Sequence, residues 1–366
     1  MNIETKVLIT PEMITPTLKN FRVRGAINPG GIRLPDKKIM LYARIAETPY
    51  HDNKNYLVPR FVGKNELKVI MDKIPRRRGK VCPDCFIMDT ETYLLYRLPT
   101  ISHFRKIILD ESGEQVEKIS QSPDFFGLMN DGDFGVEDAR MTFFRSENRY
   151  AMTYVSVSLK SGVTTSLATS TNLSNWKREG VIFRPQNKDV VLFPEKINGY
   201  YVALNRPEGT MIFDKPSIWL SYSKDLLFWG RDRPLLRPRD NSWEHVRVGA
   251  GTVPIKTSEG WLEIYHGVRL KNRNNANSKK IYSAGAMLFG LKDPSKILAK
   301  TPKDNPLFEP TTKEEKHGFM NNVVFPTAAI ESLDKKSLLV YCGAADSNTV
   351  LKKLRVSDIL NSLEFT

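Results

Sequence analysis

Apolar residues in this chain come in short bursts separated by turn-forming ones. The segments KKIMLYARI, TYLLYRL, NRYAMTYVSVS, GYYVALNRP, SIWLSYS, GWLEIYHGV, SAGAMLFGL and SLLVYCGAA are each only a few residues long and rich in Tyr, Val, Ile and Leu. Such runs predict β-strands, and extended helical periodicity is scarce, so the expected class is all-β. The polar stretch LKNRNNANSKK predicts an exposed loop rather than a boundary between domains.

A repeat separates a propeller from a sandwich. Ser170–Trp176 (STNLSNW) aligns with Ser223–Trp229 (SKDLLFW), with Ser, Leu and Trp in register 53 residues apart. Each copy follows a strand-like segment and leads through charged residues into another apolar run, VIFRP or PLLRP. One four-stranded unit recurring at such a period is the signature of stacked propeller blades. Two copies do not give the number of blades.

Composition adds the sign of the partner. The chain of 366 residues is 40% hydrophobic, enough for a substantial core, and carries 55 Lys and Arg against 41 Asp and Glu, a net charge of +14. No dense basic helix or aromatic-interleaved motif accompanies that charge, so nucleic acid is not the expected partner and the cations read mainly as solvated surface. The opening MNIETKVLIT lacks a basic segment followed by an apolar run, and no later stretch approaches a membrane span. A cytoplasmic protein that does not engage a membrane is expected. Three cysteines, Cys82, Cys85 and Cys342, are too few for a disulfide framework. Cys82 and Cys85 form a CPDC pair with no second CxxC or His pair, so two reduced thiols in a turn are expected and no metal.

Candidate chemistry clusters in a few segments. In GDFGVEDARMTFF, Glu137, Asp138 and Arg140 crowd together just before a predicted strand, a setting that serves either a tuned acid or a structural ion pair. Neighbours on a strand point to opposite faces, so only one of Glu137 and Asp138 is expected to meet a substrate. Further along come Lys188, Asp189, Glu195 and Arg206, then Arg247 in RVGAGTVPI, His266 in IYHGV and Tyr282 in IYSAGA. Cations and neutral donors recurring at strand ends can converge on one oxyanion at a propeller axis, which would make an inorganic phosphate site.

These segments, with NPGGI, YARIAET, IWLSYSKDLLFW, NNVVFPTAAI and YCGAADS, occur in an order that resembles glycoside hydrolase family 130, the mannoside phosphorylases and related β-mannosidases. The resemblance runs over nearly the whole chain. It implies a five-bladed β-propeller spanning residues 1–366 as one catalytic domain, with one axial active site. Ring closure between the chain ends follows from that fold.

Carried over by motif, the catalytic acid falls on Asp138 and the mannose-binding residues on Asn28, Arg44 and Asp346. The phosphate-binding set falls on Lys188, Arg206, Arg247, His266 and Tyr282. The resemblance implies inverting phosphorolysis of a β-mannoside to α-mannose 1-phosphate, with inorganic phosphate as co-substrate and no cofactor. The EDAR, NPGGI and RIAET forms look nearest to members acting on β-1,2-mannobiose or β-1,2-oligomannosides. The alternatives are β-1,4-manno-oligosaccharides or mannosyl-N-acetylglucosamine as substrate, then a hydrolytic β-mannosidase, then a non-catalytic sugar-binding propeller. A homo-oligomer is left open.

Overall fold

A computed structural model of the chain describes residues 3–50, 52–81, 87–91, 96–209, 211, 213–275 and 277–365. Five of its antiparallel sheets are arranged in sequence around a ring, and two smaller ones are formed by strands of the segment 55–97. Blade I holds Phe21–Arg33, Ile39–Pro49, Ile101–Leu109 and Val116–Ile119, and blade II holds Gly135–Phe144, Arg149–Ser158, Gly162–Ser170 and Lys177–Phe183. Blade III holds Asn187–Leu192, Tyr201–Pro207, Ile218–Ser223 and Trp229–Leu236. Blade IV holds Arg247–Gly249, Trp261–Leu270, Lys280–Phe289 and Ile297–Lys300, and blade V holds Val324–Glu331, Ser337–Ala344 and Asn348–Arg355. The outermost strand of blade V is Thr5–Ile9, from the other end of the chain, so the two ends close the ring through backbone hydrogen bonds.

The core is divided as a ring requires. One apolar cluster fills each junction between consecutive blades, five in all. The middle strands of each blade are therefore buried on both faces, which is why they read as continuous apolar runs in the sequence. Leu262, Ile264 and Leu288 of blade IV pack on Leu338, Val340 and Cys342 of blade V. Ile39, Leu41 and Ile107 of blade I close the circuit against Leu339, Tyr341 and Leu351 of blade V.

The repeated Trp segments lie on equivalent turns. Ser170 and Ser223 each end a third strand, and their hydroxyls accept from the backbone N–H of Leu173 and Leu226. Both leucines adopt positive φ, +62° and +71°. The TYLLYRL segment falls largely outside the described residues, as do Cys82 and Cys85. The hairpin Asn55–Phe61 with Val69–Pro75 lies between the second and third strands of blade I.

The innermost strands differ from the rest. Those of blades I, II and III lose register between Ile27 and Gly30, Glu137 and Arg140, and Lys188 and Val191. At each break two residues oppose one, a β-bulge, and the first of the two has left-handed φ: +46° at Asn28, +53° at Asp138 and +56° at Asp189. Asn and Asp tolerate that conformation better than other non-glycine residues. Three bulges at one level re-aim three polar side chains near the axis.

Candidate active site

Asp138 is the centre of the first cluster. Its Oδ1 accepts from Asn28 Nδ2 at 2.9 Å and from Arg44 NH1 at 3.2 Å, while its Oδ2 has no partner among the described residues. The second strand of blade I presents Arg44 directly opposite Ile27, beside the Asn28 bulge. Arg44 also donates to Glu137 Oε1 at 2.6 Å and to Ser102 Oγ at 3.2 Å. The expectation that Glu137 and Asp138 diverge is therefore corrected. The bulge breaks strand alternation, and both carboxylates grip one guanidinium. The EDAR segment is likewise part of the innermost strand of blade II rather than a lead into it.

Asp346 completes this cluster electrostatically. Burial raises its pKa to about 6, with Asp138 and Glu137 adding to the rise and Arg44 opposing it. Burial opposes the charge of Arg44 as well, but Glu137, Asp138 and Asp346 outweigh it and hold the guanidinium above its ordinary pKa. The buried Oδ1 of Asn28 lies so close to Gly343 that a Cβ there would sit 1.8 Å away. The glycine of YCGAADS thus makes room for a site residue.

The second cluster spans blades III and IV. Lys188 and Arg206 are directly paired across adjacent strands, a like-charge arrangement that needs anions nearby. Asp189, its side chain 1% exposed, provides one: its Oδ2 accepts from Arg206 Nε at 2.6 Å and lies 3.6 Å from His266 Nε2. Burial opposes ionisation of Asp189, but Arg206 and Arg140 overcome it and hold the carboxyl well below the usual range. Burial, reinforced by Arg206, Arg140 and Arg247, pushes His266 down to about 3, so its imidazole is neutral. The His266 ring lies 4.4 Å from Phe325 and 6.5 Å from Tyr282, whose phenol faces both Arg247 and Asp346 electrostatically. Glu208 pairs with Arg206 NH1 and approaches Arg247 NH1 at 3.8 Å.

Arg140 joins the two clusters. It is 1% exposed, donates Nε to Gly251 O and NH1 to Asp138 O, each at 2.7 Å, and brings NH2 to 3.9 Å from Asp189 Oδ1. The backbone of the candidate acid is thus tied to the anion that holds Arg206. Behind it Glu263, fully buried, accepts from Gly251 N at 2.7 Å, and burial raises its pKa to about 8.

All nine predicted residues fall in these two linked clusters or at their junction. Glu195 does not: it pairs with Lys256 at 2.6 Å toward the other end of the innermost strands. A cavity of about 790 Å³ opens there, lined by Arg33, Phe143, Glu195, Lys256, Trp261 and Glu331 among others, and it contains none of the nine. Sequence reading gave no role to Asp189 and did not name Ser102 or Glu208. The signal for Asp189 was present, since KDVV aligns with INPG and EDAR at the bulge level. Among the described residues no group of three or more His, Cys, Asp or Glu could hold a metal, and no helix is long and apolar enough to cross a membrane.

Comparison with known proteins agrees with this arrangement. The family model for glycoside hydrolase family 130, described as β-1,4-mannooligosaccharide phosphorylase, matches residues 90–365. A β-1,2-mannobiose phosphorylase from Listeria innocua is 35% identical over 363 residues, covering 99% of this chain and 97% of that protein. A 1,2-β-oligomannan phosphorylase from Thermoanaerobacter sp. is 42% identical over 193 residues, 53% of this chain and 59% of its own. The solved structure of the Listeria innocua enzyme with β-1,2-mannobiose matches at a TM-score of 0.85 and 34% identity, over 99% of both chains. With the family model covering most of its length and a relative aligned nearly end to end, the chain belongs to glycoside hydrolase family 130.

Proposed function

We propose that the chain is an inverting glycoside phosphorylase that cleaves β-mannosides with inorganic phosphate and releases α-mannose 1-phosphate. The observation that carries this reading is the pairing of one acid, Asp138, with a cationic cluster of Lys188, Arg206 and Arg247 in the same ring. An inverting hydrolase needs a second carboxylate to activate water on the opposite face. Phosphate is already an anionic nucleophile, so cations that orient it replace that base.

In this reading Asn28, Arg44 and Asp346 hold the mannose to be transferred. Asp138, fixed through Oδ1, keeps Oδ2 for the proton that goes to the departing sugar. Arg206 and Arg247, with Lys188, neutral His266 and the Tyr282 hydroxyl, cradle phosphate for in-line attack on the anomeric carbon. Two relatives whose names specify β-1,2 linkages favour β-1,2-mannobiose or short β-1,2-oligomannosides. The β-1,4 description of the family model makes β-1,4-manno-oligosaccharides the second reading. Incubation with each mannobiose, with and without phosphate, and identification of the products tests both. Equal rates without phosphate, with free mannose as product, would replace phosphorolysis by hydrolysis.

Replacing Arg206 by Ala removes a charge-assisted phosphate contact of roughly 1.5 to 3 kcal/mol. Phosphorolysis should fall by about ten- to a hundredfold, with no matching gain in cleavage by water. A variant with unchanged phosphate dependence would move the nucleophile site elsewhere.

A further inference from the structure

The cradle proposed for phosphate already holds an anion. Arg206 is gripped by two carboxylates with different settings. Asp189 takes Nε from the buried side at 2.6 Å and is 1% exposed. Glu208 takes NH1, its side chain is 20% exposed, and the same Oε1 lies 3.8 Å from Arg247 NH1. Burial works against the Glu208 charge, but Arg206, Arg247 and Lys188 outweigh it and hold its pKa below the ordinary value. One carboxylate therefore faces all three formal cations of the cradle.

Glu208 also sits where a strand gives way to a longer connection. It follows Pro207 at the end of the second strand of blade III, where its N–H donates to Gln186 O at 3.0 Å. Gly209 comes next, and the third strand begins only at Ile218. Asp189 holds the guanidinium in place without it. The carboxylate that positions Arg206 is thus the buried one, and the partly exposed one occupies hydrogen-bonding capacity that an incoming oxyanion needs.

Resting on the phosphorylase reading, we infer that Glu208 is an internal counter-ion that competes with phosphate and leaves Arg206 and Arg247 when phosphate binds. Without ligand it neutralises cations that would otherwise repel one another across the Lys188–Arg206 pair. With ligand, its negative charge beside a phosphate dianion is unfavourable, and it swings toward solvent. Glu208 then sets how much phosphate the enzyme needs and disfavours other anions that bind the cradle weakly.

The consequence runs against the usual effect of removing an active-site ion pair. Glu208→Gln keeps the shape and removes the charge, so titration with inorganic phosphate in a calorimeter should show a Kd lowered about three- to tenfold. The KM for phosphate should fall in parallel, with the KM for the mannoside unchanged. Crystals of the wild-type protein grown with and without phosphate give a reading that needs no variant: the carboxylate should lie beyond 4 Å from Arg206 only when phosphate is bound. A variant that binds phosphate equally or more weakly, or a phosphate complex with Glu208 still on Arg206, would overturn the inference and make Glu208 a support of the cradle. Absence of phosphate binding by the wild-type protein would overturn the cradle assignment itself, and this inference with it.

Discussion

At the scale of single residues, one guanidinium and one bulge decide what Asp138 can do. Arg44 and Asn28 both bond its Oδ1, which leaves Oδ2 to carry a proton. Asp138→Asn preserves the shape and cannot supply that proton. Turnover should fall by about 10² to 10⁴, with mannoside binding retained. An activated aryl β-mannoside, whose leaving group needs no protonation, should restore much of the rate if the enzyme accepts it. Failure to restore it, with binding shown intact, would make Asp138 a sugar-positioning group and turn attention to Glu137. Glu263 gives a separate test, because its raised pKa is a statement about stability. The folded protein keeps a proton that the unfolded chain, with an ordinary carboxyl near pH 4.5, gives up. Stability from this group is complete below pH 4.5 and is lost as pH rises through about 8. Glu263→Gln has no such loss, so relative to the wild type it should gain about 4 kcal/mol of stability between pH 4.5 and pH 8, read as a melting temperature above that of the wild type at pH 8 and a difference that shrinks toward pH 4.5. Parallel melting curves at both pH values would contradict the buried, protonated carboxyl.

At the scale of elements, the site depends on innermost strands that are irregular by design of their sequence. Asn28, Asp138 and Asp189 sit at matching bulges, and small residues surround them. Gly343→Ala would place a Cβ 1.8 Å from Asn28 Oδ1. Asn28 must then shift, so the mannoside KM should rise by about tenfold or more while the fold persists and the phosphate Kd stays unchanged. An unaffected mannoside KM would separate Asn28 from the sugar site. The same irregularity explains what could be read in advance. Middle strands such as Arg149–Ser158 and Trp261–Leu270 are buried on both faces and announce themselves as apolar runs. The innermost strands carry Gly, Pro, Asp and Asn, residues that mark turns elsewhere, so EDAR read as a lead into a strand and the alternation rule misplaced Glu137. Motif resemblance pointed to Asn28, Arg44, Asp138 and the cationic set, residues that the fold brings into two linked clusters, because they occur in recognisable segments. It did not assign Glu208, whose importance comes from proximity to three cations brought together by the fold.

At the scale of the molecule, a ring of five blades turns many short local hairpins into one convergent site. No single blade carries both an acid and a complete cationic set. In the proposed reading blades I, II and V supply the sugar side and blades III and IV the phosphate side, and Arg140 spans from Asp138 to Asp189. Closure by Thr5–Ile9 against Asn348–Arg355 keeps blade V, and with it Asp346, in the ring. Deleting residues 1–10 should expose the edge of that blade, lower the melting temperature by several degrees, and raise the mannoside KM before the phosphate Kd changes. A truncated protein that melts like the full chain would show that closure through this strand is dispensable. The claim that joins all three scales is that phosphate, and not water, takes the mannosyl group. The most direct measurement follows β-1,2-mannobiose cleavage by nuclear magnetic resonance in buffers with and without inorganic phosphate. The account predicts stoichiometric α-mannose 1-phosphate and mannose with phosphate, and cleavage lower by about a hundredfold or more without it. Release of two mannoses per mannobiose at the same rate in both buffers would contradict it.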